Sequence, residues 1–127
     1  MLKTLILIFL GGGTGSIFRY LIGRWTSAMN IFAGLGITFP LGTFIANLLG
    51  CFLIGLFNGM AAKFGMEEPT RLMLTVGLCG GFTTFSTLSN ESLAMLTAGN
   101  YVSFGIYIGL SLVFGILAVL VGSVIFN

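Results

Sequence analysis

One stretch of this chain gathers residues that could do chemistry: Gly77-Leu78-Cys79-Gly80-Gly81-Phe82-Thr83-Thr84-Phe85-Ser86-Thr87-Leu88-Ser89-Asn90-Glu91. It carries hydroxyls, adjacent glycines and a carboxylate where a lipid-facing helix would carry Leu and Val. Two adjacent glycines weaken a helix by about 1 kcal/mol each relative to alanine. The segment 69–98 that contains them is also long for one straight bilayer crossing. A break near residues 80–84 accounts for both facts. Broken backbone at membrane depth is tolerated only inside protein or beside a water-filled cavity, because the freed carbonyls and amides need partners. Discontinuous helices of this kind mark ion sites, with unwound carbonyls facing a cation. Glu91 belongs to the same stretch, and an ionisable residue within a membrane segment is a functional candidate by default.

The elements that must hold such a site are apolar almost throughout. Of 127 residues, 57% are hydrophobic and 6% are charged, with a mean hydropathy of +1.13. A soluble domain needs a charged surface, so the chain belongs in lipid. Its charges are Lys3, Arg19, Arg24, Lys63, Glu67, Glu68, Arg71 and Glu91. The uncharged runs between them (25–62, 72–90 and 92–127) are each long enough for a helix of the roughly 20 residues that a bilayer core requires. The expected architecture is an all-α membrane protein with one transmembrane domain over 1–127. Its four transmembrane helices lie at about 3–24, 40–62, 69–98 with the break in the third near 80–84, and 101–126. Trp25 serves as an interfacial anchor, and a Gly-containing connection runs from there through Phe39. Pro40 suits the first turn of the second helix. Glu67 and Glu68 stand at the positive end of the third helix dipole, and Gly99-Asn100 stops it. Lys3 ahead of apolar residues imitates a secretory signal, but no small-residue cleavage site with a polar domain follows.

Glycine pairs four apart recur at Gly11/Gly15, Gly55/Gly59, Gly77/Gly81 and Gly105/Gly109. In lipid, small residues at this spacing let helices approach closely. Residues 11–16 lack the G-K-[ST] of a phosphate-binding loop. Cys51 and Cys79 sit in apolar runs and read as small hydrophobes, with no histidine in the chain to complete a metal site. A net charge of +2 spread over five cations gives no nucleic-acid footprint. Four helices can hardly enclose a pathway alone, so an oligomer is expected. Four spans put both termini on one side with Lys3, Lys63 and Arg71, against Arg19 and Arg24 on the other. Orientation follows the Lys/Arg bias between the two sides, and so small a bias implies that both orientations insert, which admits an antiparallel homodimer.

The string Gly80-Gly81-Phe82-Thr83-Thr84-Phe85-Ser86-Thr87, with Glu91 downstream, resembles the signature of the CrcB/Fluc fluoride channels. Supporting pieces occur in order along nearly the whole chain: Gly15 to Arg19, Gly42-Thr43-Phe44-Ile45-Ala46-Asn47-Leu48-Leu49-Gly50, and Tyr107-x-x-x-Ser111. The resemblance implies an antiparallel dual-topology homodimer with two fluoride pores. It implies a central structural Na⁺ held by the backbone carbonyls of Gly80 and Thr83 from both subunits. It also implies passive, fluoride-selective export from the cytoplasm across a bacterial plasma (inner) membrane, with fluoride, the lipid bilayer and a second copy of the chain as partners. Along the implied anion pathway Asn47 offers two amide hydrogens, with Thr43 one turn earlier on the same face. Tyr107 and Ser111 form a second polar stripe, and Ser86 and Thr87 add hydroxyls beside Phe85. The positive ring edge of Phe85 suits a dehydrating anion, since conduction requires binding weak enough to leave. Arg19 makes the mouth of the pathway positive. Two positions depart from the family pattern: Leu88 stands where a second Phe is common, and Gly115 where a further Ser is common. No nucleophile, nucleotide site or metal-ligand cluster suggests an enzyme. The rival reading is a proton-coupled small multidrug-type transporter, which relies on a carboxylate in the first helix; here that helix has none and only Glu91 could serve.

Overall fold

The computed structural model describes residues 1–29 and 39–126, all in helices and short connections without a strand among them. The connection expected to lead into the second helix falls mainly on residues 30–38, outside the described residues. Helix α1 spans Leu2–Met29, running past Arg24 and Trp25 because nothing there breaks it. Thr26 even turns its hydroxyl back onto the carbonyls of Ile22 and Gly23, at 3.0 and 3.1 Å. Helix α2 spans Leu41–Phe64. Pro40 sits just ahead of its first turn and not inside it, and the Pro40 carbonyl accepts the first helical bond from the amide of Phe44, at 3.1 Å. Gly65 ends α2 with a φ of 67°, a left-handed conformation that glycine adopts without a Cβ penalty.

The third span is assembled from pieces. Helix α3, Glu68–Leu72, opens with Glu68 and Pro69 in its first turn. A π-helical stretch, Met73–Cys79, follows, and a last turn of α-helix, α4, covers Gly80–Phe82. After two extended residues the chain resumes as α5, Phe85–Thr97. At its end the amide of Asn100 bonds to the carbonyl of Met95 at 2.9 Å, and that of Gly99 to Leu96 at 3.1 Å. This pair of reversed bonds is the Schellman stop, and Gly99 supplies its positive φ of 80°. Helix α6 covers Tyr101–Val124. Among the described residues four stretches are long and apolar enough to cross a membrane: Leu2–Ser27, Leu41–Phe64, Glu68–Thr97 and Tyr101–Val124. The chain is therefore a multi-pass membrane protein.

Glycine decides which spans pair. A Cβ on Gly15 would strike the carbonyl of Leu78 and lie 2.8 Å from the amide of Phe82, and one on Gly11 would lie 2.5 Å from the carbonyl of Met73. Helix α1 thus lies backbone to backbone against the π-helical stretch and α4. On the other side α2 and α6 pair in the same way. A Cβ on Gly55 would meet the carbonyl of Val119, and one on Gly122 the carbonyl of Phe52. Dispersion and close packing drive helix association in lipid, where hydrophobic burial has no leverage. The pair Gly105/Gly109 differs, because a Cβ there would find nothing within 4 Å. The buried apolar core is small, at Ala46, Cys79, Phe82, Met95 and Tyr107, while large side chains such as Phe9, Ile17, Val102 and Ile116 face outward.

A methyl group at Gly15 should therefore overpack the α1 seam. We expect Gly15→Ala to lower stability in detergent by about 1–3 kcal/mol, read as a lower melting temperature. Gly13→Ala, which points into open space, should cost nothing. Equal losses in both variants would contradict the assigned seam.

Candidate ion site

The two residues between α4 and α5 are Thr83, at φ −88° and ψ 159°, and Thr84, at φ −152° and ψ 122°. Both are extended. The glycine pair that marks this region in the sequence is itself helical, and the two threonines carry the interruption. Threonine's branched Cβ favours extended backbone, so residue type and conformation agree.

Leaving a helix in lipid strands peptide groups, and here the amides of Thr84 and Thr87 and the carbonyl of Thr84 find named partners. Asn47 of α2 meets Thr84 twice. Its carbonyl oxygen Oδ1 accepts the Thr84 amide at 2.7 Å, and its Nδ2 donates to the Thr84 carbonyl at 3.1 Å. A side-chain amide thus imitates a neighbouring strand. Thr84 then caps α5, its Oγ1 accepting the Thr87 amide at 3.2 Å. The Thr84 hydroxyl donates to Thr87 Oγ1 at 3.1 Å and lies 3.3 Å from Ser86 Oγ. Thr83 turns back, with amide and hydroxyl both donating to the Cys79 carbonyl at 2.9 Å. Gly50, one turn beyond Asn47, lets α2 come this close, since a Cβ there would fall on the Thr83 methyl group.

The carbonyls of residues 80–83 lose their helical donors in this arrangement, and at Gly80 and Thr83 the diverted amide can be followed to its new acceptor. In a continuous helix the Thr84 amide would close on Gly80 and the Thr87 amide on Thr83. Those amides bond instead to Asn47 and to Thr84 Oγ1. Gly80 is exposed, and a Cβ on it would find only the Thr75 carbonyl, 3.9 Å away. Carbonyl oxygens suit a hard cation, so the donor set fits Na⁺. Among the described residues no group of three or more His, Cys, Asp or Glu could hold a softer or more highly charged metal.

A second polar cluster surrounds Glu91 of α5. Thr43 Oγ1 donates to its Oε2 at 3.1 Å, and the Tyr107 hydroxyl donates to its Oε1 at 2.9 Å. Tyr107 is completely buried. The Phe39 ring stands edge-on to the Tyr107 ring, centroids 5.3 Å apart, and edge-on to Phe44 at 5.4 Å. The carboxylate thereby ties the second and fourth spans to the third. Neither this partnership nor the aromatic group is visible in the sequence, because Glu91 lies 48 residues from Thr43 and 16 from Tyr107.

The remaining site residues separate into two groups. Arg19 lines a cavity of about 790 Å³ together with Arg24, Thr43, Thr84 and Thr87, so the guanidinium groups of α1 share one space with the edge of the break. Sequence reading treats Arg24 only as a topology charge. A signal was available, since Ser16, Arg19, Tyr20, Gly23, Arg24 and Ser27 fall at the 3.6-residue period of one helical face. Ser111 Oγ is buried without a hydrogen-bond partner. Leu88 is half-buried and Ser86 exposed. Phe85 is 79% exposed, so the chain does not enclose it. A Cβ on buried Gly115 would sit 3.5 Å from Cys51 Sγ, an ordinary contact with room for a methyl group.

Residues 6–123 match the family described as CrcB-like protein, Camphor Resistance (CrcB). A protein of Phocaeicola vulgatus is 53% identical over 121 residues, covering 95% of this chain and 96% of its own. One from Bacteroides fragilis is 46% identical over 126 residues, covering 95% and 94%. One from Leptospira interrogans is 48% identical over 115 residues, covering 90% and 87%. All three carry the name Fluoride-specific ion channel FluC.

The Glu91 cluster makes a coupling prediction. Removing the Tyr107 hydroxyl leaves a buried acceptor short of one donor, so Tyr107→Phe should cost about 1–3 kcal/mol of stability. In a Glu91→Ala background, which removes the acceptor, the same substitution should cost less than half as much. Equal losses in the two backgrounds, measured by thermal unfolding, would show that the groups are not partners.

Proposed function

The chain belongs to the CrcB-like family, and from that premise we propose that it is a fluoride channel: a passive, fluoride-selective exporter in the bacterial plasma membrane. Fluoride enters cells as HF, dissociates in the more neutral cytoplasm and is trapped as the anion. The membrane potential then drives F⁻ out through an open path, with no coupled substrate.

An anion in lipid needs protons to replace its hydration shell, and the site's hydrogen-bond ledger identifies which are free. Thr43 and Tyr107 give their hydroxyl protons to Glu91. Asn47 spends one amide hydrogen on Thr84 and keeps the other. Thr87 accepts from Thr84, which leaves its own proton to donate. Ser111 is the observation that carries the reading. A buried hydroxyl without a protein partner is costly and calls for a ligand or water. Two arginines beside the break make the cavity attractive to anions, and the Phe85 ring edge adds weak positive potential. Arg19, Thr43, Asn47, Phe85, Ser86, Thr87, Leu88, Tyr107 and Ser111 are the proposed pathway. Thr43 and Tyr107 act in it by holding Glu91, and Leu88 supplies apolar wall in place of a second ring.

We propose further that the working unit is an antiparallel, dual-topology homodimer. The exposure of Phe85 and Gly80, the open Gly105/Gly109 face and the near balance of Lys and Arg between the two sides support it. Two-fold symmetry would give two equivalent pathways. The Gly80 and Thr83 carbonyls of both copies would hold a structural Na⁺, which supplies positive charge where backbone oxygens would otherwise repel the passing anion.

Purified protein in liposomes should release fluoride when valinomycin clamps the potential, and chloride should neither permeate nor compete. Ser111→Ala should slow release about tenfold or more, the equivalent of one donor to a charged ligand, while oligomeric state stays unchanged. Leu88→Phe should match or exceed the parent. No release, or chloride passing as readily as fluoride, would overturn the proposal.

A further inference from the structure

A two-residue interruption does not by itself keep carbonyls available. A small slide of α5 toward α4 would return the amides of residues 84–87 to the carbonyls of residues 80–83, with the Thr84 amide on Gly80 and the Thr87 amide on Thr83, healing the helix and removing both of those oxygens from use. In lipid that healing is favoured, because an unpaired peptide group has no water to turn to. Something must hold the two amides away. Two side chains do so, one for each amide. Asn47 Oδ1 takes the Thr84 amide at 2.7 Å, and Thr84 Oγ1 takes the Thr87 amide at 3.2 Å. Asn47 also fixes the peptide plane from its other end through Nδ2, at 3.1 Å from the Thr84 carbonyl.

We infer that Asn47 and Thr84 are positioning residues for the cation site: each withdraws one helical amide from one of the Gly80 and Thr83 carbonyls and so leaves that oxygen free for the ion. The inference rests on the Na⁺ reading proposed above and adds a consequence to it. Asn47 faces both ways, with one amide hydrogen committed to the break and one left for the anion. Its substitution therefore reports on two sites at once. The Thr84 side chain, by contrast, can be altered without removing either atom of the Asn47 contact.

The test is the melting temperature of the full-length protein in detergent, titrated with Na⁺ against N-methylglucamine at constant ionic strength. The parent should be stabilised in a saturable manner. Thr84→Val keeps the shape and loses the acceptor, so the half-saturating Na⁺ concentration should rise about tenfold, in line with one competing hydrogen bond. Thr84→Ser restores the acceptor and should restore the parent value. Asn47→Leu should weaken the Na⁺ response in the same direction; if it does not fold, Thr84→Val and its Ser rescue decide alone. Ser111→Ala should leave the Na⁺ response unaltered. A Thr84→Val midpoint equal to the parent's would overturn the inference while the cation reading stands. A parent with no Na⁺ response would overturn the cation reading itself, and the inference with it.

Discussion

A peptide group that leaves a helix inside a bilayer must be met by another polar group, and in this protein the amide side chain of Asn47 meets it. Two hydrogen bonds, at 2.7 and 3.1 Å, hold Thr84 in an extended conformation. The polar groups of the interruption are arranged around that contact. It fixes where α4 ends and where α5 begins. It leaves the Gly80 and Thr83 carbonyls without their helical donors, and it points the Thr84 hydroxyl at the first turn of α5. Removing it would leave the third span two choices, to close into a continuous helix or to expose bare backbone to lipid.

The surrounding architecture makes such a contact reachable. Asn47 can lie against backbone only because Gly50 lets α2 approach the Thr83 methyl group. The first half of the third span is held from the other side by Gly11 and Gly15 of α1. Glu91 then gathers Thr43 from α2 and Tyr107 from α6, so the second, third and fourth spans contribute to one polar seam. Its hydrogen bonds offset the cost of holding a carboxylate and open backbone at membrane depth. The proposed chemistry follows from what the seam leaves over: a few uncommitted protons, two arginines in one cavity, and two carbonyls.

Much of this organisation is legible in the sequence, and the boundary of legibility has a physical cause. Hydropathy reveals four spans because a bilayer tests length and charge, and both are local properties. The glycine spacing reveals close packing, although it does not distinguish Gly15, in backbone contact with Leu78, from Gly105, which touches nothing. The interruption is visible as a composition, but its position is not. Gly80-Gly81 is the weaker helix former and yet stays helical, since the deciding factor is the reach of Asn47 to Thr84 across 37 residues. Asn47 itself is legible as a donor, whereas its commitment to backbone is a tertiary fact. The same holds for Glu91, whose partners lie on two other spans, and for Tyr107 and Thr43, whose protons it takes. Arg24 is the one functional candidate that periodicity could have supplied, since it shares a helical face with Arg19.

Backbone chemical shifts in lipid bilayers measure the central contact most directly. Carbon-13 Cα and Cβ shifts report helical or extended backbone residue by residue. Thr83 and Thr84 should show extended values, flanked by helical values at Gly80–Phe82 and Phe85–Thr97. Unbroken helical shifts from Gly80 through Thr87 would contradict the account, since the Asn47 contact, the free carbonyls and the cap on α5 would all disappear together.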